Sequence, residues 1–216
     1  MAGADPFKTW TISTGALSPG LYTLAVTGTN SARVGTYVGN ITVTPALLVE
    51  PRMNAVWALD FMRDTLYSGR VFRTLNVIDE ANGDALGIDV AVSIPATRVT
   101  TFLTQMIDLH GRPTAIRCDN GPELTSRAFT DWCKEEAIEL RFIQPGKPDQ
   151  NAYIERFNRT YPEEVLSAYL FDSLDEVRDI TTAWIDRYNE IRPHDALGSL
   201  PPALYREQVI AAETPV

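Results

Sequence analysis

The stretch from Arg117 to Glu155 limits what this chain can become more than any other part of it. Ala115–Cys118 is a short apolar strand that ends on Asp119, and Glu155 falls in the first turns of a helix that Asp149 can cap. Between these two carboxylates lie 35 residues. They hold a helix at Ser126–Ala137 and a further strand at Leu140–Ile143. On the helix after Asp149 the stripe Ile154, Phe157, Tyr161, Val165 and Ala168 is apolar. Glu155 lies about 100° round from that stripe, beside Asn151, Asn158 and Arg159, so it can project from a helix anchored on its other side.

A third carboxylate, Asp60, stands inside the apolar strand Trp57-Ala58-Leu59-Asp60-Phe61. A charge in such a setting costs several kcal/mol if it is buried without a partner. Three acids converging without a base repel one another unless divalent cations neutralise them. Oxygen ligands with open water positions suit Mg²⁺ or Mn²⁺, and two such ions support in-line phosphoryl transfer. Singly, each acid has an ordinary reading. Asp119-Asn120-Gly121 is a common turn, Glu155 can pair with Arg159 on a solvated helix face, and Asp60 can be a salt-bridged strand residue.

The rest of the chain falls into two textures. Residues 7–45 alternate apolar and polar positions, with turn signals at Ser18-Pro19-Gly20 and Gly28-Thr29-Asn30. Three short antiparallel strands follow from this, at Phe7–Ile12, Leu21–Val26 and Tyr37–Val43. We divide the chain into a β-rich segment at 1–45, a linker at 46–53, a core at 54–206 and a tail at 207–216. In the core, Val56–Met62, Val71–Ile78 and Ala85–Val92 read as strands. Val99, Phe102, Leu103, Met106 and Ile107 line one helix face, which stops at His110-Gly111-Arg112-Pro113. Leu174–Tyr188 and Ala203–Ile210 are further helices. Pro162 predicts a kink or restart, because it lacks an N–H and clashes with the carbonyl of Asn158.

Charge sets a boundary on partners. The chain of 216 residues carries −9 overall, and residues 53–216 hold 16 basic and 26 acidic side chains. Such a domain must bind nucleic acid through local basic patches, metal ions or another domain. Cys118 and Cys133 lack metal-ligand spacing and read as buried reduced thiols. Without an apolar membrane span or a signal-peptide pattern, the expected location is the cytoplasm.

The runs Trp57–Phe61, Ile116-Arg117-Cys118-Asp119-Asn120-Gly121-Pro122-Glu123, Gln144–Pro148, Asn151–Tyr161 and Tyr188–Gly198 resemble the integrase catalytic core of bacterial transposases of the insertion-sequence-3 family. That resemblance covers about residues 54–206. It implies an α/β, ribonuclease H-like fold, with a mixed five-stranded sheet and flanking helices, preceded here by the short β-rich segment. It also implies a D-D-E triad of Asp60, Asp119 and Glu155, two Mg²⁺ or Mn²⁺ ions, and cleavage and strand transfer on DNA. The implied partners are transposon ends, target DNA, and further copies or a full-length transposase, near the bacterial nucleoid. Lys147, Asn151, Arg156 and Arg159 are candidate phosphate contacts around the glutamate; His110 reads as a surface residue, and His194 has no assigned chemistry.

Two departures reduce positive charge: Asn82-Gly83-Asp84 where the family carries Asn-Arg-Glu, and Tyr161-Pro162-Glu163 where it carries Thr-Tyr-Arg-Glu. The second is expected to bend the helix presenting Glu155. Two other readings stay open. One is an idle remnant that binds DNA or a full-length transposase as a regulator; the other is an adhesive β module at residues 1–52 with the core as passenger.

Overall fold

The computed structural model describes residues 20–30, 33–43, 52–143 and 152–213. The chain divides into two compact units, residues 1–48 and 49–216. In the first, β1 (Gly20–Asn30) and β2 (Arg33–Val43) form an antiparallel pair running from Gly20↔Val43 to Asn30↔Arg33. Both strands are longer than the alternation alone predicts. Gly28 does not turn the chain but pairs with Gly35, so glycine meets glycine within the ladder. The strand expected at Phe7–Ile12 lies outside the described residues.

In the second unit, β3 (Val56–Thr65), β4 (Val71–Asp79) and β5 (Ala85–Ala91) are antiparallel neighbours. Then β6 (Ala115–Cys118) and β7 (Glu139–Phe142) add in parallel, giving the order β5-β4-β3-β6-β7. Helices α1 (Ala96–His110) and α2 (Arg127–Glu135) provide the crossovers. Pro95 opens α1, and Gly111, at φ 90°, closes it by donating its N–H to the Ile107 carbonyl. Ser126 caps α2 by accepting from the Phe129 N–H.

Strand alternation sorts the core into two layers. Trp57 and Leu59 of β3 face one side, with Val99, Leu103 and Met106 of α1 and Phe129 and Cys133 of α2. Ala58 faces the other side, with Phe72, Ile78 and Val90, beneath α3 (Ala152–Tyr161) and α4 (Leu174–Glu190). Cys118 and Cys133 are free and buried in the first layer, and burial pushes both thiols up to about 12. Among the described residues no helix is long and apolar enough to cross a membrane.

The second layer is an aromatic stack. Phe157 meets Trp184 and Tyr188 edge-on at 5.5 and 5.2 Å, and the Tyr161 hydroxyl lies 2.8 Å from that of Thr181. Pro162 restarts the helix, as expected, one element beyond Glu155. Helix α3 stays regular through Tyr161, and Pro162–Leu166 forms a π turn closed by the Ser167 N–H on the Pro162 carbonyl at 2.8 Å. The missing proline N–H is accommodated where a wider turn asks least of it. After α4, Asp195–Leu197 makes a 3₁₀ turn and α5 (Pro202–Glu213) ends the described chain.

Candidate functional site

Asp60 sits in β3 opposite Asn76 of β4. On the other side of β3, the parallel register pairs Ala58 with Arg117, so Asp119 continues β6 two residues further, level with Asp60. The strand order therefore juxtaposes two acids that are 59 positions apart in sequence. Asp60 is half-buried, whereas Asp119 and Glu155 are exposed, leaving the group open on one side.

Asp119 and Glu155 are near enough for their charges to bear on Asp60. Burial, followed by the charges of Asp119 and then Glu155, raises the Asp60 carboxyl to about 6, against the pull of hydrogen bonds from the Phe61 N–H and from Asn158. The Phe61 N–H donates to Asp60 Oδ1 at 2.8 Å and Asn158 Nδ2 to Oδ2 at 2.6 Å. Among the described residues Asp60 has no ion pair, so it is not the salt-bridged strand residue that one reading of the sequence allowed. Nor does Glu155 pair with Arg159. The turn reading of Asp119 does hold alongside its place in the cluster: the Gly121 N–H donates to Asp119 Oδ1 at 2.9 Å, and Asn120 Nδ2 to the Ile143 carbonyl at 2.9 Å.

A cation would not find a finished cage here. Among the described residues no three His, Cys, Asp or Glu side chains surround a common point. The donor set still suits a hard ion that keeps waters and takes one or two carboxylates plus substrate phosphates. Asp60 and Asp119 are all-oxygen donors without a competing base, and Glu155 lies on the neighbouring helix.

Asn158 is a residue whose part the sequence did not reveal. Its amide donates to Asp60 while its Oδ1 accepts from Asn76 Nδ2 at 2.6 Å, so it ties the helix carrying Glu155 to both β3 and β4. A buried asparagine on a strand was the available signal, since Asn76 is fully buried. A second such feature is Arg73, whose guanidinium lies 4.3 Å above the Phe61 ring and is ion-paired with Glu123, four residues after Asp119.

The other expected contacts separate. Arg156 and Arg159 are exposed on α3, while Lys147 and Asn151 lie outside the described residues. Arg156 borders a cavity of about 100 Å³ that Tyr153, Tyr188 and His194 also line. His194 packs edge-on against Tyr188 at 4.8 Å and bridges to Leu200. His110 is not a plain surface residue, since its Nε2 reaches the Leu86 carbonyl at 3.1 Å and fastens the end of α1 to β5.

The Asn82-Gly83-Asp84 departure also reads differently in three dimensions. Gly83, at φ 68°, shapes the β4–β5 turn, donating its N–H to the Asp79 carbonyl. Asn82 reaches the Pro202 carbonyl, and the buried Asp84 pairs with Arg206. The loss of a basic residue there is matched by docking of α5.

Comparison with known proteins agrees with this geometry. Two integrase core domain patterns match in succession, over residues 50–148 and 136–202. A protein of insertion element IS476 from Xanthomonas euvesicatoria is 41% identical over 159 residues, 74% of this chain and 46% of its own length. The transposase for insertion sequence element IS629 of Shigella sonnei is 30% identical over 157 residues, 72% of this chain and 52% of its own. The chain thus spans about half the length of these curated relatives. The HTLV-2 integrase catalytic core domain in complex with magnesium superposes with a TM-score of 0.57 at 19% identity, covering 70% of this chain and 95% of that one. The fold is that of the ribonuclease H-like integrase cores, and the chain belongs to the integrase core domain family.

Proposed function

We propose that residues 54–206 are a DNA transposase catalytic core, with residues 1–45 a separate β-rich segment, 46–53 a linker and 207–216 a tail. Its reaction is phosphodiester cleavage followed by strand transfer. Water adds across a P–O3′ bond to release a 3′-hydroxyl, and that hydroxyl then attacks a phosphate of another strand and expels its 3′-oxygen. The observation that carries this reading is the uncompensated charge of the cluster: Asp60, raised to about 6 by burial and by Asp119 and Glu155, has no base beside it among the described residues.

Asp60, Asp119 and Glu155 are the residues that would hold two Mg²⁺ or Mn²⁺ ions. Bound there, the cations would neutralise the carboxylates and stabilise the attacking and leaving oxygens of the displacement. Asn158 orients Asp60, the Gly121 N–H orients Asp119, and the aromatic anchoring of α3 fixes the level of Glu155. Arg156 and Arg159, with Lys147 and Asn151, stand as phosphate contacts beside the glutamate. Transposon ends and target DNA are the substrates, and assembly with further copies brings two ends together.

Mn²⁺-dependent nicking of supercoiled plasmid by the full chain tests the reading. We expect Asp119→Asn to lower the nicking rate by on the order of 10³-fold, equivalent to several kcal/mol of lost transition-state stabilisation. Absence of nicking by the parent protein, or retention of it in Asp119→Asn, overturns the assignment.

A further inference from the structure

Past Ala58 the pairing of β3 with β6 ends, and β3 continues with β4 alone towards their turn. In this part of the hairpin, Arg63 lies directly opposite Arg73. Both share the sheet face of Phe61. Like charges facing each other across an antiparallel pair destabilise it, so the arrangement calls for an anion. Glu123 supplies one to Arg73. Arg63 is exposed, and its side chain has neither an ion pair nor a hydrogen bond among the described residues. The two arginines, with Phe61, Met62, Val71 and Val92, line an open cleft of about 460 Å³.

That volume is far larger than a single phosphate requires, and its lining joins cationic groups to apolar ones. The cleft lies on the face of β3 opposite to the one Asp60 takes, one residue further along, and its Arg73 is held by Glu123, in the turn that carries Asp119. A polymer whose backbone is anionic and whose sugars and bases are apolar-faced matches both halves of the lining. In a unit this acidic, DNA affinity has to come from such local patches.

We propose that this cleft binds the phosphodiester backbone of a DNA strand running past the carboxylates, with Arg63 contacting a phosphate and Arg73 extending the positive surface over Phe61. The inference rests on the DNA-processing reading of the neighbouring acids and assigns a second contact region, on a different element from α3.

Fluorescence anisotropy of a short labelled duplex, titrated with the full chain over a series of salt concentrations without divalent cations, tests it. Each phosphate contact contributes about 0.7–0.9 to the slope of log K against log salt. Arg63→Ala should lower the slope by about that amount, while Arg112→Ala, an equal charge change on the exposed loop after α1, leaves it unchanged. Circular dichroism melting checks that both variants are folded. An unchanged slope in Arg63→Ala, an equal loss in Arg112→Ala, or no saturable binding by the parent overturns the cleft assignment. The two readings fail separately: plasmid nicking with an unaltered Arg63→Ala slope rejects the cleft alone, whereas the slope loss without nicking upholds it and rejects the catalytic reading.

Discussion

Asp79, Glu80 and Asp84 gather around the β4–β5 turn, while Asp60, Asp119 and Glu155 gather where β3, β6 and α3 meet. The first group is the more deeply buried, at 3%, 1% and 3% relative exposure, yet each member is answered. The backbone N–H groups of Asn54 and Ala81 donate to Asp79, Arg117 pairs with Glu80 at 2.6 Å, and Arg206 pairs with Asp84. The second group is more open and has hydrogen bonds but no counter-charge among the described residues. Burial of an acid therefore does not mark chemistry in this molecule. What separates the two groups is that the fold gives Glu80 and Asp84 an opposite charge, leaving Asp79 to backbone N–H donors, whereas no member of the second group has a counter-charge among the described residues.

The largest expected effect tests the answered group. Arg117→Ala removes the guanidinium from a carboxylate that is 1% exposed, and breaking a buried pair in this way costs about 3–5 kcal/mol. Thermal unfolding should fall by on the order of 10 °C for a unit of this size. A loss below about 1 kcal/mol would erase the distinction between the groups.

The second effect has the opposite sign. A folded-state carboxyl at about 6, above its ordinary 3.8, confers stability that is fully present below pH 3.8 and lost as pH rises through about 6. At about 1.4 kcal/mol per pH unit, ionised Asp60 opposes folding by roughly 2–3 kcal/mol at neutral pH. Asp60→Asn should accordingly raise the melting temperature in EDTA at pH 7.5 by several degrees and have little effect at pH 4. Mn²⁺ should stabilise the parent at pH 7.5 and leave Asp60→Asn unmoved. Equal melting of parent and variant at pH 7.5 would mean that the second group is compensated after all.

The smallest effect sharpens the geometry. Asn158→Ala removes one charge-assisted hydrogen bond to Asp60, which is worth about 1.5–3 kcal/mol to the ionised form before the local structure relaxes. The Asp60 carboxyl should then titrate at higher pH, a change readable by carboxyl-carbon NMR, while stability falls by about 1–3 kcal/mol because the buried Asn76 Nδ2 loses its acceptor. An unshifted titration would remove Asn158 from the positioning of Asp60.

Much of the architecture was legible because it is written in local pattern. Val99, Leu103 and Met106 follow the helical period and are buried on one face of α1, and Asp60 betrayed itself by standing between Leu59 and Phe61. What could not be read depends on side chains that meet across long stretches of chain. Asn76 and Asn158 are 82 positions apart, and Asn189 and Ala85 are 104 apart. Asparagine on a helix or strand has no periodic signature that announces such a partner. Pro162 was half legible for a related reason: the restart at its position was plain, but the form of that restart, a wider turn seated on Val165 and Leu166, depends on the packing beneath it.

One arrangement in α4 bears on how copies of this protein can come together. The side-chain amide of Asn189 accepts from the Ala85 N–H at 2.9 Å and donates to the Ala85 carbonyl at 3.0 Å, in the manner of a neighbouring peptide. Further along β5 the Arg178 guanidinium occupies the Val90 carbonyl at 2.8 Å. Since β5 is the outermost strand on its side of the sheet, α4 blunts that edge with a counterfeit peptide at one end and a cation at the other. Edge-to-edge zipping of sheets, which would string copies of the chain into a fibre, is closed off there.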